Sequence, residues 1–229
     1  MFAIGLNEFK ALFKSIRSIL IIIVLIGITT GTAKILSQFS DQLKSLGLGD
    51  NAYVGGLMVL LFIAAPLFVT SLAHNVINKE VYSRTVRFLV TKTSRNNILL
   101  GKFLGNLLFW IVCLTISLIL IIPFSNTFYF LELIQCIVFI SYFLGLTLLL
   151  STIISNPSIT MFLGITLSII LPVIGMISIG SNNIIIKMIS YITPYYYFTQ
   201  EQTAFTYIVI IFPILFLIVS LMLFRKRDL

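Results

Sequence analysis

From Leu133 to Ile186 the chain carries no charged residue at all. A soluble domain cannot hide so long an uncharged run, and one helix crossing a ~30 Å hydrocarbon core needs only about 20 residues. The run therefore holds two crossings. Ser155-Asn156-Pro157-Ser158 divides it, because proline lacks an N–H and disfavours helix in the residue before it. The same marking of charge-free stretches gives six spans: Ser18–Ala33, Ala52–Ala73, Phe103–Pro123, Leu133–Ile154, Ser158–Gly180 and Ala204–Leu223. Only 10% of the residues are charged and the mean hydropathy is +1.12, so these spans define the class: an all-α integral membrane protein with one six-span domain over residues 1–229. Helix is the spanning conformation because each segment must satisfy its own backbone hydrogen bonds. The half-polar alternation of barrel strands is absent.

Charge sets the orientation. With six spans, both termini, the second-to-third loop and the fourth-to-fifth loop share one side. Twelve of the fifteen Lys and Arg residues lie there, and only Lys34, Lys44 and Lys187 lie opposite. Positive loops stay inside, so we expect a multi-pass protein of the cell (plasma) membrane with both termini cytoplasmic. Anionic lipid, not nucleic acid, then accounts for the net charge of +8. The first span, preceded by Lys10, Lys14 and Arg17 and followed by Thr30-Gly-Thr-Ala33, has some signal-peptide character; we read it as retained. Cys113 and Cys136 fall inside spans, as small buried apolar residues.

Three segments are neither span nor short turn. Residues 2–17 repeat Leu6, Phe9, Leu12, Phe13 and Ile16 at helical spacing, which predicts an amphipathic helix at the inner interface. Residues 79–95 form the one basic stretch, which continues to Lys102. Glu80 and Arg84 stand i,i+4 with the acid first, Val81, Phe88 and Leu89 add apolar contacts, and Thr93 or Ser94 is a candidate N-cap for the third span. The expectation is a short cytoplasmic helix, a turn and a re-entry helix; the alternative is a solvated basic loop. Residues 181–203, with Tyr191, Pro194, Tyr195, Tyr196 and Tyr197, predict a short helix or re-entrant hairpin at the outer leaflet, or an ordinary aromatic belt. Gly27-x-x-x-Gly31 and Gly101-x-x-x-Gly105 permit close helix approach.

Much chemistry is missing from the sequence. It has no phosphate-binding Gly-x-x-x-x-Gly-Lys-Ser/Thr loop, no zinc-protease motif around its single histidine, His74, and no Gly-x-Ser-x-Gly elbow. We therefore expect no enzyme, and no catalytic, cofactor-binding or metal residues in this chain. No ionisable group stands at mid-membrane depth, where ion-coupled carriers place theirs. Uphill transport would need energy from another subunit, docked on the basic segment. The alternative classes are an ATPase-independent channel and a membrane assembly protein.

Over its whole length the chain resembles the six-span permease subunits of type-2 ATP-binding-cassette exporters. The resemblance rests on Glu8 in the amphipathic N-terminal helix, on Glu80, Thr85, Leu89, Ser94-Arg95, Ile98-Leu99 and Gly101-Lys102, on "ISYITPYYYF" before the last span, and on the closing "FRKRDL". It departs from that pattern at Arg84, where the family often has Gly, and at Lys92-Thr93, where a Pro is usual. The resemblance implies two paired permeases (a homodimer or two sister chains), each docking a separate ATPase subunit that binds ATP and Mg. Glu80, Arg84, Thr85, Arg87, Phe88, Leu89 and Arg95 would make the ATPase-coupling surface. Asn156 and Pro157 would make a second cytoplasmic contact, and Tyr191, Pro194, Tyr195, Tyr196 and Tyr197 an external gate. An uncharged pathway favours a hydrophobic or amphipathic cargo (a peptide, toxin or antibiotic-like molecule), because a charge bound there would lose its hydration without a partner.

Overall fold

The structure is a computed structural model that describes residues 1–39, 52–83, 85, 90–180, 183–200 and 203–226. Among the described residues all regular structure is helical, and six helices are long and apolar enough to cross a membrane. An N-terminal helix, Phe2–Lys14, precedes the first span, Ile16–Gln38; the second span is Ala52–Ala73, followed by a five-residue helix, Asn78–Tyr82. The third span is Arg95–Ile119, with a short helix Ile122–Ser125 after it. The fourth and fifth are Phe130–Ile153 and Pro157–Gly180. Two short helices, Ile184–Ser190 and Pro194–Phe198, lead to the sixth span, which opens as a 3-10 helix over Thr203–Ile210 and becomes α-helical over Ile211–Lys226.

The first and third spans differ most from the stretches expected, each for a physical reason. The first span starts and ends outside the charge-free run because Arg17 and Lys34 sit on exposed turns of the same helix. The third begins eight residues before Phe103, capped by Ser94, whose hydroxyl accepts from Asn97 N at 3.4 Å. Lys102 thus lies two turns inside this helix, and its burial, described below, removes it from the exposed basic segment where charge counting placed it.

Lipid tails are as apolar as Leu, so helices in a bilayer hold together by close packing and polar contacts rather than by the hydrophobic effect. The fourth span is the centre, 67% buried against 22% for the first and sixth. It packs on the second, third and sixth spans, while the first and fifth lean on the second. Small residues set the closest approaches. A Cβ on Gly145 would stand 3.0 Å from Pro213 Cα of the sixth span, and one on Gly164 would run into Thr70. Of the two expected glycine pairs, Gly101 and Gly105 do receive a helix: a Cβ on Gly105 would lie 2.5 Å from Gly5 O of the N-terminal helix. Gly27 and Gly31 have nothing within 4 Å.

Proline supplies a polar tie at the end of the bundle remote from the termini. Pro66, inside the second span, cannot donate to the carbonyl four residues before it, Phe62. The hydroxyl of Tyr195 fills that vacancy, donating to Phe62 O at 2.8 Å, and its ring packs among Phe62, Phe139 and Phe143. Tyr195→Phe should therefore lower stability by about 1–3 kcal/mol, the cost of an unpaired buried carbonyl. In a Pro66→Ala background, where residue 66 regains its N–H, the same change should cost about half of that or less. Thermal unfolding of the four proteins in detergent measures the coupling; equal losses in both backgrounds would contradict the assignment.

Candidate functional site

The chain between the second span and the basic segment is buried and stitched in place by side chains from three other helices. After Ala73 the second span ends in a tight turn, and Val76, Ile77 and Asn78 are nearly or wholly inaccessible. Their backbone groups cannot reach water, so side chains must satisfy them. Ser151 of the fourth span accepts from Ile77 N at 3.0 Å and from Asn78 N at 3.2 Å. The amide of Asn78 donates to Thr160 Oγ1 of the fifth span at 2.7 Å. From the third span, Lys102 Nζ donates to Val76 O at 2.7 Å.

Lys102 does more than accompany the turn. It is 5% exposed, and its ammonium lies 2.7 Å from Glu80 Oε1 and 3.6 Å from Glu8 Oε2. Glu80 comes from the five-residue helix and Glu8 from the N-terminal helix, so one buried cation joins three elements. A buried charge persists only when paired and hydrogen-bonded, and here two carboxylates and a carbonyl meet that condition. The position of Glu8 follows from the N-terminal helix, whose glycine face beds on the third span at Gly101 and Gly105. Phe13 adds an edge-on contact to Phe109, with ring centroids 5.0 Å apart. Of the apolar stripe expected to face lipid, Leu12 is buried and Phe9 and Phe13 are half-buried against the core, while Leu6 and Ile16 are exposed. This helix therefore turns much of its face to the protein.

The expected coupling residues fall as follows. Glu80 points inward to Lys102. Thr85 closes the end of that helix, its hydroxyl donating to Glu80 O at 3.4 Å and lying 2.9 Å from Ser83 Oγ. Arg95 reaches the last turn of the sixth span, Nη1 donating to Phe224 O at 3.1 Å and to Arg225 O at 2.7 Å. A cation at helix-terminal carbonyls is favoured by the helix dipole. Arg225 returns the tie through Nε to Asn96 Oδ1 at 2.8 Å. Arg84, Arg87, Phe88 and Leu89 lie outside the described residues. Asn156 caps the fifth span, its Oδ1 accepting from Ser158 N at 2.9 Å, with Pro157 as the first helical residue.

At the opposite end Pro194 and Tyr195 are buried in the bundle. Tyr191, Tyr196 and Tyr197 form an edge-to-face aromatic group beside them, with centroids 4.5 and 5.4 Å apart. Tyr142 of the fourth span donates to Ile192 O at 2.8 Å and fixes the turn between the two short helices. The two cysteines are free and buried. No group of three His, Cys, Asp or Glu side chains that could hold a metal occurs among the described residues.

Sequence reasoning missed Glu8, Asn78 and Lys102 as a structural unit. A lysine eight residues inside a capped apolar helix was the available signal, since such a charge needs a carboxylate partner and the nearest in sequence, Glu80, precedes the same helix.

The hub is thus a buried ionic and amide cluster that joins the start of the basic segment to the spans. A family model described as ABC-2 family transporter protein matches residues 2–229. The chain belongs to the ABC-2 family of transporter proteins. Among curated proteins none matches it. As an ABC-2 permease it is a multi-pass membrane component of an ABC transporter, a class that works with an ATPase partner. In this ABC-2 permease the hub lies between the segment at 79–95 and the second, third, fourth and fifth spans.

Proposed function

We propose that the chain is the permease of an ATP-driven exporter in which two permeases each dock a separate ATPase subunit through residues 79–95. The observation that carries this reading is the hub: Glu80 and the Val76 carbonyl are tied to the third span through Lys102, the Asn78 side chain to the fifth through Thr160, and the Ile77 and Asn78 amides to the fourth through Ser151. Force applied to the segment therefore reaches the bundle at several points instead of dissipating in a loop. Glu80 anchors the segment from within. Arg84, Thr85, Arg87, Phe88 and Leu89 meet the ATPase, and Arg95 ties the segment's end to the sixth span. Asn156 and Pro157 form the smaller second contact. ATP and Mg are bound by the partner, and the permease itself carries out no chemistry.

The termini face the cytoplasm of the plasma membrane, and the aromatic group around Tyr191, Pro194, Tyr195, Tyr196 and Tyr197 forms the external gate. Closure of the paired ATPases would push the segments and reshape a pathway between the two permeases; hydrolysis would reset it. Apart from Lys102 the spans carry charge only near their ends, at Arg17, Lys34, Arg95, Glu132, Arg225 and Lys226, and Lys102 is held by its partners. This favours a hydrophobic or amphipathic cargo, because a charged one would be desolvated without compensation.

Docking is tested by Arg84→Glu together with Arg87→Glu, against Lys187→Glu at the other end as a control. The double reversal should cut co-purification of the ATPase at least tenfold while the permease still inserts and melts normally, and the control should change it less than twofold. Retention of the ATPase by the double variant would contradict the docking surface.

A further inference from the structure

The end of the bundle that bears the termini holds a cavity of about 230 Å³, lined by Leu12, Ser15, Arg17, Ser71, Leu72, His74 and Asn75. It shares no lining residue with the Glu8–Lys102–Glu80 cluster. Two features give it an anion-binding character, and a third adds a hydrogen-bond acceptor beside them. The first span starts here: Ser15 is its N-cap with no side-chain cap bond, and its first intrahelical bond runs from Ile19 N to Ser15 O at 3.0 Å. The amides of Ile16, Arg17 and Ser18 precede that bond, so they are the donors a helix N-terminus offers to a ligand. Arg17 adds a guanidinium with no ion-pair partner among the described residues.

The third feature is the buried side chain of His74, which is 6% exposed. Its Nδ1 lies 3.2 Å from Thr70 O and 3.0 Å from Ser71 O. Two carbonyls at that nitrogen place the proton on Nδ1 and make Nε2 an acceptor. No partner for Nε2 occurs among the described residues. A ligand that fits must therefore present an anion to Arg17 and the helix start and, beside it, a hydroxyl proton to His74. Ser71 and Asn75 complete a polar wall over an apolar floor of Leu12 and Leu72.

We propose that this cavity binds the phosphodiester headgroup of an anionic membrane lipid, with a headgroup hydroxyl donating to His74 Nε2. A lipid is favoured over a free phosphate by what adjoins the cavity. Ile16, Leu20 and Ile23 of the same helix are exposed by 77%, 58% and 61%, and Ile19 by 44%. At spacings of three and four residues these make one continuous apolar stripe, which starts at the site and runs along the span, where an acyl chain would lie.

Direct binding to the purified full chain in non-ionic detergent tests this, with phosphatidylglycerol, phosphatidylmethanol, phosphatidylcholine and inorganic phosphate as probes. Phosphatidylglycerol should bind saturably, several-fold tighter than phosphatidylmethanol, which lacks the hydroxyl, and tighter still than phosphatidylcholine. Arg17→Gln should weaken it about tenfold or more, as expected for a charge-assisted contact. Lys10→Gln, which removes the same charge from an exposed face of the N-terminal helix, should change it less than twofold. Equal losses in the two variants would mean diffuse attraction and overturn the site. Equal affinity for phosphatidylmethanol would overturn the role of His74, and displacement of the lipid by inorganic phosphate at comparable concentration would make a free anion the ligand instead.

Discussion

Lys102→Met is expected to destabilise the folded permease by about 2–3 kcal/mol, more than any other single change at the hub. Breaking a buried ion pair by removing one partner typically costs about 3–5 kcal/mol. The lower figure applies here because the side chains of Glu80 and Glu8 keep 23% and 24% of their exposure and recover part of their hydration. The loss includes the Val76 carbonyl, left without its donor at 2.7 Å. Removing the carboxylate as well should reverse part of the damage: Lys102→Met with Glu80→Met should melt above Lys102→Met alone, since apolar replacement of a buried pair is often neutral. Glu8→Gln should cost less than 1 kcal/mol, because its oxygen stands 3.6 Å away and Lys102 keeps its better partner. Unfolding in detergent, followed by tryptophan emission from the buried Trp110, ranks the four proteins. Equal stability of Lys102→Met and the parent would mean that the cluster holds nothing in place.

The outline of this fold was open in the sequence because a bilayer leaves a chain few choices. Charge-free runs of span length, a proline break at Pro157 and a serine cap at Ser94 describe single helices, and each is local. What binds those helices to one another is pairwise and distant. Ser151 and Thr160 look like neutral hydroxyls until the turn at Ile77 and Asn78 is placed between them. Lys102 was the clearest case. Charge counting treats every lysine as a topological marker, so a lysine whose charge is cancelled inside the bundle was assigned to the loop. Tyr195 and Pro66 form a similar pair: the sequence shows a helix that must lose one hydrogen bond, but not which of four clustered tyrosines replaces it.

Asn78→Ala should separate ATP hydrolysis from movement of the bundle. Its side chain makes a direct hydrogen bond from the turn to the fifth span, and it lies inside the protein, away from the surface at Thr85 where the ATPase would dock. Loss of one such bond costs roughly 1–1.5 kcal/mol, which corresponds to about a tenfold change in a two-state population. ATPase binding and basal hydrolysis should therefore stay within twofold of the parent, while the share of permease that follows the ATPase into its driven state falls by about tenfold. Thr160→Val, which removes the acceptor, should behave alike.

The most direct measurement uses spin labels at Ile63 of the second span and Met188 of the outer short helix, both exposed, in the permease–ATPase complex. With ATP, the distance distribution between them should shift in the parent protein and stay near its resting form in Asn78→Ala, at equal ATPase occupancy. A full ATP-driven shift in Asn78→Ala would contradict transmission through the hub, and so would a shift in the permease that carries no ATPase.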